Sequence, residues 1–239
     1  MLLRGDERAL ARRVVEDGTT YALDVLGFRD GSFYVDTRPL RAWLRAHAPG
    51  RRVLNLFAHT GSLGIAAEVA GAAGTVQVDR DRAGLSLAKT SASMNRLPID
   101  KRRYVVDDVF PYLARARRDG ALFDIAVLDP PFFSQTSGGR VDVEARLGAL
   151  VDKVRPLVAD DGLLVVVVNA LFVSGAEVEA ELARVVAGGY ATLEARLDAP
   201  DDVVGLTPTG DASWPTSPSP WAHPTKIAVL RLKRKDGRR

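Results

Sequence analysis

An α/β fold built on a mostly parallel, doubly wound sheet is predicted by three observations. From residue 52 onward, short apolar β-prone runs alternate with helical stretches, the pattern of successive strand–helix units. The run Leu163-Leu164-Val165-Val166-Val167-Val168 is apolar throughout, as expected of a strand covered on both faces. Val53-Leu54-Asn55-Leu56-Phe57 breaks at Ala58-His59-Thr60-Gly61 into a small polar turn, and a helical stretch follows at once.

The elements follow in order. Strands are predicted at 52–57, 75–79, 103–106, 123–128 and 163–168, with helices at 62–72, 83–94, 109–118, 141–154 and 175–186. Crossovers between parallel strands should be right-handed. Ahead of this unit, 10–15 reads as the end of a short helix or strand, closed by the turn signal Glu16-Asp17-Gly18. The β-prone runs 21–26 and 32–36 flank Asp30-Gly31, which predicts a β-hairpin there. Leu40, Trp43 and Leu44 repeat at helical spacing between Arg38 and His47, and Pro49-Gly50 ends that amphipathic helix. Residues 1–48 are therefore expected to form an extension, and 49–239 the main domain. The stretch 201–223 is rich in Pro, Ser, Thr and Gly and reads as a long loop, either functional or mobile. Its Trp214 and Trp221 imply that it docks, and 226–232 returns as a strand.

Composition sets limits on function. Hydrophobic residues make up 46% of the chain and charged residues 26%, enough for a packed core and against global disorder. With no cysteine, disulfides, thiolate metal sites and a cysteine nucleophile are excluded for this chain; no metal site is expected. A formal net charge of +3 is compatible with a polyanionic partner without requiring one. Lys233, Arg234, Lys235, Arg238 and Arg239 carry part of the excess and read as a solvated end. No window reaches the roughly 20 apolar residues that span a bilayer. The start, Met1 to Arg8, turns charged at once and lacks a signal core. A cytoplasmic protein without membrane contact is expected; oligomeric state is not legible.

In open α/β sheets, ligands sit beyond the carboxyl ends of the strands. The turn at Gly61 would lie over that pocket, where the absence of a Cβ allows a ligand close to the backbone. The helix from Ser62 offers free N–H groups. Asp79 closes the second strand and can accept hydrogen bonds from both hydroxyls of a ribose; either Asp107 or Asp108, after the third, can accept from an exocyclic adenine amine. A dinucleotide site wants Gly-x-Gly-x-x-Gly, and Ala58-His59-Thr60-Gly61-Ser62-Leu63-Gly64 lacks the first glycine. A phosphate-free adenosine cofactor fits better. The bland readings are a tight turn at Gly61 and a strand-end cap at Asp79.

Over residues 18–232 the chain resembles class I methyltransferases that use S-adenosyl-L-methionine. More narrowly, it is similar to bacterial 23S ribosomal RNA methyltransferases with a front β-hairpin. The matching segments are Ser32-Phe33-Tyr34-Val35-Asp36-Thr37-Arg38, Val53 to Gly61 with His59 in a tyrosine's place, Asp79, the segment Leu87 to Leu97, Asp107-Asp108-Val109-Phe110 and Asp129-Pro130-Pro131-Phe132-Phe133. The resemblance implies a Rossmann-like, seven-stranded methyltransferase sheet with an N-terminal β-hairpin. It implies cofactor contacts from Phe33, Asp36, Arg38, Asn55, Phe57, Ala58, Thr60, Gly61, Asp79, Arg80, Asp108, Val109 and Asp129, and favours Asp108 for the adenine amine. Catalytic roles fall to Asp129, Pro130, Pro131 and Phe133.

Methyl transfer from a sulfonium is an in-line displacement, governed chiefly by alignment. The Asp129 carboxylate and Pro130 carbonyl can orient an attacking amine, and the two prolines fix φ and remove competing N–H donors. Phe132 or Phe133 can stack on a base or serve as core. The cysteine-dependent route to carbon-5 of cytosine is closed here. Asn169 stands where carbon-methylating relatives keep a Ser/Cys-rich segment, and serves as a cap or a substrate contact. Arg140 takes the place of a lysine usual in the family. Relatives acting on ribosomal RNA carry an N-terminal RNA-binding domain not found in this sequence. The basic clusters Arg51-Arg52, Lys101-Arg102-Arg103 and Arg115-Arg117-Arg118 read equally as a solvated face or as phosphate contacts. Methylation of a nucleobase nitrogen in RNA is the leading expectation. The alternatives are a small-molecule or protein acceptor, a nicotinamide-dependent oxidoreductase and a non-catalytic RNA-binding module.

Overall fold

The computed structural model describes residues 6, 10–28, 31–136, 138–204 and 218–234. Its centre is a seven-stranded sheet of order β10-β11-β9-β6-β3-β4-β5. The strands are β3 (Arg52–Leu56), β4 (Gly74–Asp79), β5 (Tyr104–Val106), β6 (Phe123–Leu128), β9 (Val158–Asn169), β10 (Ala191–Leu197) and β11 (Thr225–Leu232). From β5 across to β9 neighbours are parallel; β11 runs antiparallel to both β9 and β10. The chain runs outward from β3 through β4 to β5, then returns to place β6 on the other side of β3. That reversal makes the β3–β6 boundary the switch point, where a crevice opens above the strand ends.

Period-two alternation feeds two apolar layers. Leu54, Leu56, Ala126, Leu128, Leu164, Val166 and Val168 face one way, against α4 (Val109–Arg118), α5 (Val143–Val154) and α6 (Gly175–Ala187). Val53, Ile125, Val127, Leu163, Val165 and Val167 face the other, against α1 (Arg38–His47) and α2 (Ser62–Val69). Burial on both faces is why these strands read as unbroken apolar runs. Helix α3 (Arg82–Met94) begins on an Asp81 side-chain cap, and α6 on a Ser174–Glu177 capping box.

The N-terminal hairpin is present but lies earlier than predicted. Strands β1 (Arg13–Glu16) and β2 (Thr19–Ala22) pair antiparallel around Asp17-Gly18, both at positive φ (47° and 77°), as a two-residue turn demands. The predicted second strand is instead a short 3₁₀ turn, Val35–Thr37. Of the predicted first strand 21–26 only 21–22 pair, at the end of β2; the Asp24 carboxylate accepts from the N–H groups of Leu26 and Gly27 and curls 24–27 into a turn. Of the predicted turn, residues 29 and 30 lie outside the described residues. The hairpin docks on α3: Asn95 bonds both N–H and C=O of Thr20, and Ser91 Oγ accepts from Ala22 N–H.

Other departures are local. A small hairpin, β7 (Phe133–Gln135) with β8 (Arg140–Asp142), follows β6 and delays the start of α5. Strand β9 begins earlier than the apolar run, and β10 alternates where no strand was predicted. The stretch read as a long loop opens with a short helix, α7 (Asp201–Val204). Trp221 is buried and donates from its indole N–H to Ile227 C=O; Trp214 and the tail from residue 235 lie outside the described residues. Among the described residues no helix is long and apolar enough to cross a membrane.

Candidate cofactor cleft and active site

Above the ends of β3, β4, β5 and β6 lies a cleft of about 550 Å³, a size suited to a small organic molecule. Its floor begins at the turn after β3. Phe57, His59 and Gly61 all take positive φ (58°, 50° and 74°), so this turn is held in a conformation that two of its side chains oppose. Four hydrogen bonds hold it: Ala58 N–H to Val78 C=O (3.0 Å), Gly61 N–H to Ala58 C=O (2.7 Å), His59 N–H to Asp79 Oδ2 (2.7 Å) and Thr60 Oγ1 to Ser32 C=O (2.8 Å). The last ties the N-terminal segment to the cleft. From that segment Tyr34 reaches the lining, its ring 5.3 Å from that of His59, and Phe28 packs on His59 from another side.

Carboxylates mark the strand ends. Asp79 ends β4, held by the His59 N–H on one oxygen and the Asp81 N–H on the other (2.8 Å). Each oxygen keeps a lone pair for a further donor. Asp108 caps α4, accepting from Phe110 N–H (2.9 Å), while its other oxygen accepts from Thr136 Oγ1 (2.5 Å). Val109 and Phe110 continue the wall there. Helix α2 starts without a side-chain cap, leaving its first N–H groups to a ligand or solvent.

Beyond β6, Asp129, Pro130, Pro131 and Phe132 line the same cleft. Burial pushes the Asp129 carboxyl up to about 7, and the nearby negative charge of Asp36 pushes in the same direction. Asp36 is itself buried, and its Oδ2 accepts from Thr225 Oγ1 and from Asn169 Nδ2 (3.4 Å). Behind them the Lys226 ammonium donates to the carbonyls of Ala170 (2.9 Å) and Pro224 (2.7 Å), and burial draws it down to about 8.

The profile of the S-adenosylmethionine-dependent methyltransferase family matches residues 3–211. The chain belongs to that family. Its cofactor is accordingly S-adenosylmethionine. Similar proteins include the ribosomal RNA large subunit methyltransferase I of Serratia proteamaculans, 36% identical over 50% of this chain and 30% of that protein. The ribosomal RNA large subunit methyltransferase K of Neisseria meningitidis is 33% identical over 63% of this chain and 43% of that protein. The chain thus spans less than half the length of those relatives. Among solved structures, SMU.776 complexed with SAH superposes with a TM-score of 0.83 at 23% identity, over 96% of this chain and 58% of that one. A SAM-dependent methyltransferase from Agrobacterium tumefaciens gives 0.74 at 20% identity, over 96% and 73%. These two likenesses concern the fold.

The cleft brings together Phe57, Ala58, Thr60, Asp79, Arg80, Asp108, Val109, Asp129, Pro130 and Pro131 of the residues expected from the sequence. Others stand apart from its lining. Phe33 packs on Tyr21 and under the Arg41 guanidinium. Arg38 pairs with Asp202 at the surface. Asn55 is buried in β3, facing Gln77. Gly61 is required by packing: a Cβ there would lie 2.5 Å from Gln77 Oε1 and 2.6 Å from the Ala88 Cβ. Asp36 sits behind the wall, on Asn169. Phe133 points outward on β7 with Arg140 over its ring, whereas Phe132 lines the cleft. Sequence reasoning missed Tyr34, His59, Phe110 and Thr136 as lining residues. Tyr34, His59 and Phe110 stood inside matched motifs; Thr136 had no signal, because β7–β8 brings it to Asp108.

Proposed function

We propose that this protein transfers the methyl group of S-adenosylmethionine to an amino nitrogen of a nucleobase in RNA. The observation that carries the reading is the placement of the Asp129-Pro130-Pro131-Phe132 corner on the same cleft as Asp79, Asp108 and Val109. The names of the ribosomal RNA methyltransferase relatives support RNA as the acceptor class.

The donor set suits an adenosyl group without phosphates. Asp79 retains acceptor capacity for ribose hydroxyls. Asp108 and the Val109 N–H suit the edge of an adenine, with Phe110 against its face. Among the described residues no cluster of three His, Asp or Glu side chains is disposed to hold a metal. When bound, the cofactor supplies an electrophilic methyl whose bonding electrons depart on a neutral thioether. Asp129 and the Pro130 carbonyl orient the amine so that its lone pair meets the methyl. The nitrogen forms the new N–C bond and sheds a proton, which the Asp129 carboxylate accepts. Phe132 offers a face for the base, worth about 1–3 kcal/mol by analogy with other stacking platforms. No thiol is available in this chain for the carbon-5 route.

The basic clusters lend the RNA reading little weight. Arg52 pairs with Asp124, Arg102 and Arg103 with Asp100, and Arg115 with Asp107. The test is methyl transfer from labelled cofactor to RNA purified from a strain lacking the gene. Label in RNA is expected; label confined to protein or to small molecules would overturn the RNA reading.

A further inference from the structure

We infer that Asn169 is a specificity-determining residue of the acceptor site, turned by Asp36 so that its amide oxygen reads the ring N–H of guanine. This inference rests on the reading of the cleft as an RNA amine methyltransferase site.

Asn169 is the last residue of β9, and β9 runs parallel to β6 beside it, with Leu128 opposite Val166. Its side chain therefore emerges one strand over from Asp129. Val167 and Asn169, two apart on one strand face, both line the cleft. A primary amide has one donor end and one acceptor end, and a carboxylate only accepts. With Nδ2 on Asp36, Oδ1 is directed away from that carboxylate. Among the described residues, no group donates to it.

The support behind the amide is built from distant parts of the chain. Asp36 precedes α1, Asn169 ends β9, and Thr225 opens β11 directly opposite Asn169 in the ladder. Thr225 Oγ1 donates to the same Asp36 oxygen that receives the Asn169 amide. A buried carboxylate next to Asp129 costs stability. An exposed strand-end asparagine needs no such partner. Fixing the amide's direction is a role that accounts for the arrangement.

Two acceptors, Asp129 and the Pro130 carbonyl, already serve the amine. A third calls for another donor beside it. In adenine and cytosine the ring nitrogen adjoining the amine is itself an acceptor, and would set lone pair against lone pair. Guanine's amine lies between two ring nitrogens, and one of them, N1, is an N–H that can meet the amide oxygen. The wall therefore favours a guanine whose amine faces Asp129.

The test uses the full chain, tritiated S-adenosylmethionine and RNA from a strain lacking the gene, digested to nucleosides after transfer. Label in a methylated guanosine is expected. Asn169→Ala should lower kcat/KM about tenfold or more. Its affinity for S-adenosylhomocysteine, read by calorimetry, should stay within about twofold. Asn169→Asp, which sets two carboxylates face to face, should be at least as damaging. The exchange Asp36→Asn with Asn169→Asp should restore most of the rate, because the bond is remade with its direction reversed. Label in methylated adenosine or cytidine, an unimpaired Asn169→Ala, or an exchange variant no better than Asn169→Asp alone would overturn the inference. If wild-type protein labels no RNA, the reading of the preceding subsection fails and this one falls with it. Failure of the variants alone leaves that reading standing.

Discussion

Asp79 Oδ2 accepts a hydrogen bond from the backbone N–H of His59 at 2.7 Å, joining the end of one strand to the turn after its neighbour. One carboxylate thus holds the strained Phe57–Gly61 turn and keeps capacity for a ligand. In Asp79→Asn an amide N–H₂ must face either His59 N–H or Asp81 N–H, donor against donor. Affinity for S-adenosylhomocysteine should fall about 10–100-fold, corresponding to roughly 1.4–2.7 kcal/mol. Calorimetry checks this, and an unchanged dissociation constant would remove Asp79 from the site.

Asp129 should titrate near neutrality in the ligand-free protein. Its carboxyl is pushed up to about 7 by burial and by Asp36. Carbon-detected NMR of labelled aspartate should find one carboxyl titrating there. Methyl transfer should rise as pH climbs through the same range, because the proton leaving the amine needs an ionised acceptor. The sign for stability is opposite. A carboxyl with a raised folded-state pKa contributes fully below about 4, and the contribution is lost as pH rises to about 7. Asp129→Asn should therefore be inactive yet more stable than wild type at pH 8, by something on the order of 1–4 kcal/mol.

Arg41 anchors the N-terminal segment. It is fully buried, forms a two-pronged pair with Glu16 (2.7 and 2.8 Å), donates to Tyr34 C=O and Thr37 Oγ1, and lies 4.2 Å from the centre of the Phe33 ring. Among the described residues, Arg41→Met leaves the Glu16 carboxylate with only Arg45, 3.7 Å away. Urea denaturation should show a loss of about 2–4 kcal/mol. Because Tyr34 lines the cleft, cofactor affinity should fall as well.

Gly61→Ala tests the turn from the other side. The position has φ of 74°, and an added methyl meets Gln77 and Ala88 rather than the cleft. Strain and overpacking together should cost about 2–4 kcal/mol, read as a lower unfolding midpoint. A melting temperature within a degree of wild type would show that the turn relaxes freely.

The parallel core was legible because its strands are buried on both faces and its strand ends carry acids. Val53 to Gly61, Asp79 and Asp129 mark the cleft in the sequence itself, since each stands at the carboxyl end of an apolar run. The hairpin lies elsewhere than predicted because residues 1–48 hold two Asp-Gly pairs, 17–18 and 30–31, and hydrophobic pattern alone does not choose between them. The choice falls to tertiary contacts, Ser91 and Asn95 on α3 receiving β2. Phe133 was preferred over Phe132 on motif spacing, whereas the β7 pairing decides which ring faces inward. The resemblance puts Asp36 on the cofactor. Its hydrogen-bond partners in the structure, Asn169 and Thr225, lie 133 and 189 residues away and carry no local signal.

The most direct measurement is a crystal structure with S-adenosylhomocysteine bound. The ribose hydroxyls should lie on Asp79, the adenine edge at Asp108 and Val109 beside Phe110, and the sulfur should turn toward Asp129 and Pro130. A ligand bound outside this cleft, or one whose sulfur faces away from Asp129, would contradict this placement.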